Sequence, residues 1–317
     1  MEENRHIFIR KLCEALEKRG FLTSDPDLGG LISFELIARR EDEKYIIKIL
    51  HNVDTFRITN AIEMVRLSRV TGAAAVVIGE RAGSGVLEDG VVYYRHHVPI
   101  MSPVTFVDYI DGRKPNVFSG PGGFYIPING KVMHSIRDKL GYSIGFVSNK
   151  VGTSRRSISL YERGSASTID VYTKLEALLM NDISSSIDIL KIVNEIELPA
   201  EERGDINDFI REVIDNIVRT GYDFYSMKKA PFDAVANRAM DTMFLIGLFE
   251  SLNEKMGRAI AIKNVSEIFQ TEPLIITRMD TTKDNIAKCP VVSLHELRTA
   301  SAKDSLEMII ERKKSLQ

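Results

Sequence analysis

At 317 residues the chain is too long for one ordinary hydrophobic core, so two or three domains are expected. With 44% hydrophobic and 27% charged residues it reads as a soluble globular protein, and a net charge of −2 leaves room for a cationic binding surface only as a local patch. The apolar runs, such as AAAVVI (73–78), are too short to span a membrane, MEENRHIFIRKL has no secretory apolar stretch, and Cys13 and Cys289 alone make no disulfide framework; a reducing cytoplasm and buried thiols are expected.

Taken in order, Phe8, Ile9, Leu12, Cys13 and Leu16 keep helical spacing up to Gly20. SFELIARR (33–40) and YIIKIL (45–50) read as strands joined by a charged turn, EDEK (41–44). TFRITNAIEMVRLSRVTG (55–72) predicts a helix with Ile58, Ile62, Val65 and Val70 inward. AAAVVIG (73–79) is a buried strand, DGVVYYRHHVPIMS (89–102) adds β structure, and PVTFVDYI (103–110) closes the module as a short helix. Strands and helices alternating in this way indicate an α/β sheet over residues 1–112. DGRKPNVFSGPGGFYIPING (111–130) has the glycine and proline density of a linker, placed over 113–127. Neither GPGG nor the GSG at 83–85 has the frame of a phosphate loop.

The charge patch comes next. Between Gly130 and Gly164 stand seven cations (Lys131, Arg137, Lys139, Lys150, Arg155, Arg156, Arg163) against Asp138 and Glu162. KVMHSIRDKL (131–140) predicts a helix with Met133, Ile136 and Leu140 on one face, closed by Gly141. Ser143 caps a second helix whose Val147 and Val151 face inward, and Gly152 makes a turn. Ser154 caps a third, with Ile158 and Tyr161 inward and Gly164 at its end. A fourth, 168–179, carries Ile169, Tyr172, Leu175 and Leu179. Short helices joined through a glycine turn make a helix-turn-helix, and the front of its second helix meets base edges in the major groove. Arg155 and Arg156 stand there, and a guanidinium fork can bond both O6 and N7 of guanine. Ser159 and Leu160, one turn on, would reach a base edge and a thymine methyl, while Ser143, Lys150, Ser154 and Arg163 are placed for phosphates.

After a connector at 183–204, amphipathic in its middle, the first module's order returns over 205–317. FIREVIDNIVRTGY (209–222) matches FIRKLCEALEKRGF (8–21), PFDAVANR (231–238) matches SFELIARR, and TMFLIGL (242–248) matches YIIKIL. A helix near 254–270, PLIIT (273–277) and CPVVS (289–293) complete the match, which points to an internal duplication.

Three resemblances follow from these residues. Ser143, Val147, Ser148, Val151, Gly152, Ser154, Ile158 and Glu162-Arg163-Gly164 resemble the Cro/phage-repressor (Xre-like) helix-turn-helix, which implies a lambda-repressor-like fold over 128–182 and binding to double-stranded DNA. That family usually has a polar residue where Ile144 stands, and Phe146 also occupies a normally polar site. Over nearly its full length, through FELIARR, LEDGVVYYRHHVPIMSP, GPGGFYIPI, the helix-turn-helix and APFDAVANR, the chain resembles archaeal HTH-type transcriptional regulators. The flanking modules resemble the PD-(D/E)xK nuclease core, a restriction-endonuclease-like fold that holds Mg²⁺ between two carboxylates. Glu35 stands at the first acid and Lys48 at the lysine, but Ile46 replaces the E-x-K glutamate. In the second copy Asp233 matches the first acid, while Phe244-Leu245-Ile246 offers neither glutamate nor lysine.

The expectation is therefore a multidomain α/β plus all-α protein, a helix-turn-helix reader between two degenerate nuclease-like modules. It binds DNA as a homodimer, its modules serving dimerisation or the sensing of an unknown effector. No catalytic residue, metal or cofactor is expected: the six histidines lack ligand spacing, and His96-His97 on a strand would point to opposite faces. A metal-dependent, structure-specific nuclease and a DNA-associated scaffold are the alternatives.

Overall fold

The computed structural model describes residues 2–25, 33–83, 85–192, 207–238, 242–252, 256–299, 310, 311 and 313. Its elements, in order, begin with α1 (Glu2–Glu17), β1 (Leu22–Thr23), β2 (Leu36–Arg40), β3 (Glu43–Asn52), α2 (Ile58–Thr71), β4 (Ala74–Ala82), β5 (Gly85–Val86), β6 (Val91–Arg95), β7 (Val98–Met101) and α3 (Pro103–Ile110). Then come β8 (Val117–Gly120), β9 (Gly123–Pro127), α4 (Gly130–Lys139), α5 (Ile144–Val151), α6 (Arg155–Tyr161), β10 (Ala166–Thr168), α7 (Ile169–Leu179) and α8 (Ile189–Ile192). The chain closes with α9 (Asp208–Arg219), β11 (Asp223–Ser226), β12 (Ala234–Asn237), β13 (Phe244–Phe249), α10 (Met256–Phe269), β14 (Glu272–Thr277), β15 (Asn285–Ile286), β16 (Cys289–Ser293) and α11 (Leu294–Thr299). Among the described residues no helix is long and apolar enough to cross a membrane.

The chain divides into two compact units, one of Met1–Ile49, Phe56–Ala75 and Leu190–Gln317, the other of Leu50–Thr55 and Val76–Ile189. In the first, β11 to β16 form a six-stranded sheet in the order β11-β12-β13-β14-β16-β15. β11, β12 and β13 are antiparallel, β14 joins β13 in parallel, β16 joins β14 in parallel, and β15 folds back on β16. Its apolar face packs on α9 and α11 through Phe209, Val213, Ile217, Phe244, Ile246, Leu274, Ile276 and Leu297.

The first module repeats this arrangement piece by piece. β1, β2 and β3 are antiparallel as β11, β12 and β13 are. β4 runs parallel to β7, and β6 folds back on β7, as β14, β16 and β15 do. The tight turns agree as well. His96 and His97 have φ of 51° and 65° between β6 and β7, and Ala287 and Lys288 have φ of 50° and 65° between β15 and β16. Two successive left-handed residues are what a two-residue primed hairpin turn demands. The adjacent histidines are thus turn residues rather than strand residues, because the chain must reverse between Arg95 and Val98.

Several sequence expectations change at this level. The 113–127 stretch, read as a linker, contains the hairpin β8–β9, turned by Pro121-Gly122 with Gly122 at φ 85°. Proline followed by a left-handed glycine is a type II turn, so the same residues that suggest a loop make a strand reversal. In α2 the buried face is Ala61, Glu63, Met64, Val65, Leu67 and Ser68, whereas Ile58 is 56% exposed. The reason is a partner on a second side: Glu63 accepts the Lys228 backbone N–H at 2.9 Å and Arg66 at 3.1 Å. Cys289 is buried, but Cys13 is only half-buried. Part of the predicted connector, 193–204, lies outside the described residues.

In the second unit β4, β7, β6, β8, β9 and β10 lie side by side in that order, and α4 to α7 follow from and pack against the β9–β10 end. Ile126 and Ile128 of that end share one core with Met133, Val147, Val151, Ile158, Tyr172, Leu175, Leu179 and Ile183. Leu140 and Ile169, expected inward, are 45% and 40% exposed, since each sits at a helix end beyond this core.

Candidate nucleic-acid interface

Each helix of the 130–179 region begins with a side-chain cap. Asn129, Ser143, Ser154 and Thr168 accept the backbone N–H of Val132, Phe146, Ser157 and Val171. Such caps contribute about 1 kcal/mol apiece. α5 ends at Gly152 (φ 77°, ψ 37°), whose N–H and that of Thr153 both reach the Ser148 carbonyl at 3.0 Å. This left-handed turn redirects the chain into α6 within three residues, and buried Val147, Val151 and Ile158 hold the pair together.

A clamp fixes the far end of α6. Glu162 bonds Arg137 Nε and His134 Nδ1, the latter at 3.0 Å, while Arg137 Nη1 donates to the Tyr142 carbonyl at 2.7 Å. Arg137 is 8% exposed, so one of the patch's cations is internal and neutralised. Burial works to raise the Glu162 carboxyl, but the bonds from Arg137 and His134 outweigh it and hold the acid below its ordinary range. The same bond raises the Arg137 guanidinium. Glycine at 130 lets α4 start against this corner: a Cβ there would lie 2.3 Å from the Glu162 carbonyl oxygen.

With that pair set aside, Lys131, Lys139, Lys150, Arg155, Arg156 and Arg163 are all exposed. Arg155 and Arg156 are the first two residues of α6. The Arg155 guanidinium folds back over α5, where a Cβ on Gly145 would lie 3.0 Å from Nη2. Ser159 is half-buried, and its hydroxyl donates to the Arg155 carbonyl at 3.1 Å. Leu160 is 39% exposed. Ser143 and Ser154 are exposed caps. Lys150 lies 5.8 Å from the centre of the exposed Phe146 ring, which packs on Tyr142 at 4.6 Å. A Tyr142–Phe146–Lys150 ladder thus occupies the normally polar face of α5.

The nuclease-like positions are built differently. Glu35 and Lys48 are 4% and 7% exposed and bond each other at 2.7 Å, and the second Glu35 oxygen accepts the Ile49 N–H at 2.7 Å. Asp233 accepts the Leu248 N–H at 2.6 Å with one oxygen and meets Arg258 at 2.6 Å with the other. The strand register pairs Leu36 with Ile47 and Ala234 with Ile246, which makes Lys48 equivalent to Gly247 and Ile46 to Leu245. The E-x-K positions of the second copy are therefore 245 and 247, one residue beyond those the sequence match suggests. A Cβ at 247 would lie 2.6 Å from Ile262 Cδ1, and the cation that meets Asp233 comes from α10 instead. These residues do not fit a catalytic magnesium: both oxygens of each first acid are committed, and Ile46 and Leu245 are buried hydrocarbon.

Residues 5–115 match the family model described as PD-(D/E)XK superfamily domain, which agrees with the α/β order of the first module. Over its whole length the chain is 46% identical to a Picrophilus torridus protein named "Putative HTH-type transcriptional regulatory protein", covering 98% of each. Proteins of the same designation from Thermoplasma acidophilum and Methanocaldococcus jannaschii are 38% and 31% identical, each over at least 98% of both chains. The chain belongs to the archaeal family that carries this name. No solved structure matches it significantly.

Proposed function

We propose that this chain is a sequence-specific, duplex-binding transcriptional regulator whose reader is a Cro-like, lambda-repressor-like helix-turn-helix formed by α5 and α6. One observation carries the reading: two exposed arginines lead α6, and the described residues offer neither of them an ion pair. Arg155 and Arg156 reach base edges in the major groove, with Leu160 against a thymine methyl. Ser159 has its proton committed to the helix and so offers lone pairs to an amino group of adenine or cytosine. Ser143, Lys150, Ser154 and Arg163 hold phosphates. The reader spans 128–182 between nuclease-like modules at 1–112 and 205–317, which are non-catalytic and serve dimerisation or sensing. A homodimer presents two α6 helices about 34 Å apart to successive half-sites.

Gel-shift titration of the Arg155→Ala/Arg156→Ala variant on a selected duplex tests the assignment. Specific affinity should fall at least about 10-fold, the scale of one or two lost bidentate contacts, and unchanged affinity removes these residues from the interface. The match of residues 5–115 to a nuclease superfamily supports a second reading, a metal-dependent structure-specific nuclease. Branched, nicked and linear DNA incubated with Mg²⁺ or Mn²⁺ separates the two, since turnover belongs only to the second.

A further inference from the structure

The second unit carries another surface suited to nucleic acid, and it is not the helical one. On one face of the sheet formed by β6, β8 and β9 stand Tyr94, Phe118 and Tyr125. Phe118 and Tyr125 are directly paired across β8 and β9, with ring centres 5.7 Å apart and planes 24° apart. Tyr94 meets Phe118 edge-on at 6.2 Å and is 40% exposed.

The backbone is shaped to let these rings lie down. A Cβ on Gly120 would lie 2.9 Å from Tyr125 Cδ2, so the Tyr125 ring takes the space a side chain would fill, with Phe118 Cε2 in ordinary contact at 3.7 Å. The Tyr125 hydroxyl donates to the Pro121 carbonyl at 2.6 Å and fixes that ring along the hairpin. The opposite face of the sheet is already occupied, because Ile126 and Val117 belong to the core under α4 to α7.

The charge pattern favours a polyanion as occupant. The sequence has no acid between Asp89 and Asp108, and none between Asp111 and Asp138, so β6, β7, β8 and β9 are free of carboxylates. The exposed Lys131 and Arg163 flank the β9–β10 end of the sheet in sequence, where the Gly130 backbone abuts Glu162 and Gly164. One near-parallel ring pair on acid-free strands supplies the elements of a stacking platform, since every base has a π-face and needs no particular hydrogen bond.

We propose that Phe118 and Tyr125, with Tyr94 beside them, stack the unpaired bases of a single-stranded nucleic acid. The site is separate from the two arginines of α6 and does not depend on them. A protein with both surfaces binds duplex through its helices and holds a neighbouring unpaired strand on its sheet.

Fluorescence polarisation with the full-length chain tests this, using labelled twelve-residue oligo(dT), oligo(U) of equal length and a mixed-sequence duplex. Wild type should bind both single strands, with affinity falling as salt rises. Phe118→Ala should weaken single-strand binding by about 5- to 100-fold, the range of one lost stack, and leave duplex binding unchanged. Phe118→Tyr should keep the affinity, whereas Phe118→Leu, which preserves apolar packing but not the π-face, should lose it. Arg155→Ala/Arg156→Ala should retain single-strand binding. Because the chain has no tryptophan, quenching of its tyrosine emission by oligo(dT) gives a second readout of single-strand binding. The proposal is overturned if wild type binds neither single strand, if Phe118→Leu binds them as wild type does, or if the double-arginine variant loses single strand and duplex together.

Discussion

Glu162 shows how one side chain can tie two helices together. Its carboxylate joins the end of α6 to Arg137 of α4, and the side chains are only 11% and 10% exposed. Glu162→Gln removes the charge that Arg137 was buried to meet, and thermal denaturation should report a loss of about 3 kcal/mol. The pH dependence follows from the carboxyl being held below its ordinary value near 4.5. A carboxyl depressed in the folded state contributes its stability above the unfolded value and loses it as pH falls through the folded one. The gap in melting temperature between wild type and Glu162→Gln should therefore be full at pH 6 and close below about pH 4.5. Gly145 is a second single-residue test. A methyl there would meet the Arg155 guanidinium at 3.0 Å and push it off α5. If Arg155 reads DNA from that position, Gly145→Ala should weaken duplex binding several-fold without changing the melting temperature by more than a degree or two, the scale of a few tenths of a kcal/mol.

At the scale of elements, the two-residue turns are placed identically but chemically ill-suited. Ala287 and Lys288 both adopt left-handed φ, for which asparagine and glycine are preferred. Ala287→Asn/Lys288→Gly should raise stability by about 1 kcal/mol, read from the denaturant midpoint, because it relieves backbone strain and no bond from either side chain is lost. This is also where sequence reading stops. Capping serines and glycine turns are local signals, so the ends of α4, α5 and α6 and the exposed Arg155-Arg156 pair are legible from residues alone. Left-handed turns made of histidine, alanine or lysine carry no such signal, and they appear only once strands on both sides are placed. The β8–β9 hairpin hides for the opposite reason: Pro121, Gly122 and Gly123 look like punctuation, and the strands on either side are only four and five residues long. The slipped register at 245 and 247 arises because Gly247 supplies no lysine to align. Glu63 looks like a surface helix residue, and its bonding group lies 165 residues away.

Across the first unit, the two modules act on each other. Lys229 bonds Thr59 and Asn60 of α2, and Glu63 takes the Lys228 N–H. In the other direction Lys44 reaches the Phe269 carbonyl at the end of α10, and the Ser33 N–H meets the Lys229 carbonyl. The strand acids follow the same logic: Glu35 and Asp233 each anchor an adjacent strand by a backbone N–H and a paired cation, buried at Lys48 and part-exposed at Arg258, a structural use of positions that hold metal in a nuclease. Residues 33–75 and the second module thus consume these polar faces on each other within one chain. Glu63 tests whether they fold as one, for it is 5% exposed and its carboxylate is shared by Arg66 of its own helix and a backbone N–H of the other module. Glu63→Ala should cost about 3 kcal/mol, as removal of one member of a buried charged network does. Hydrogen exchange then discriminates. If the modules fold as one, amides of β13 and β14 should accelerate together with those of α2 and β3, by about 100-fold for that loss. Acceleration confined to residues 33–75 would mean that each copy folds alone and that the contacts at Lys228 and Lys229 are incidental.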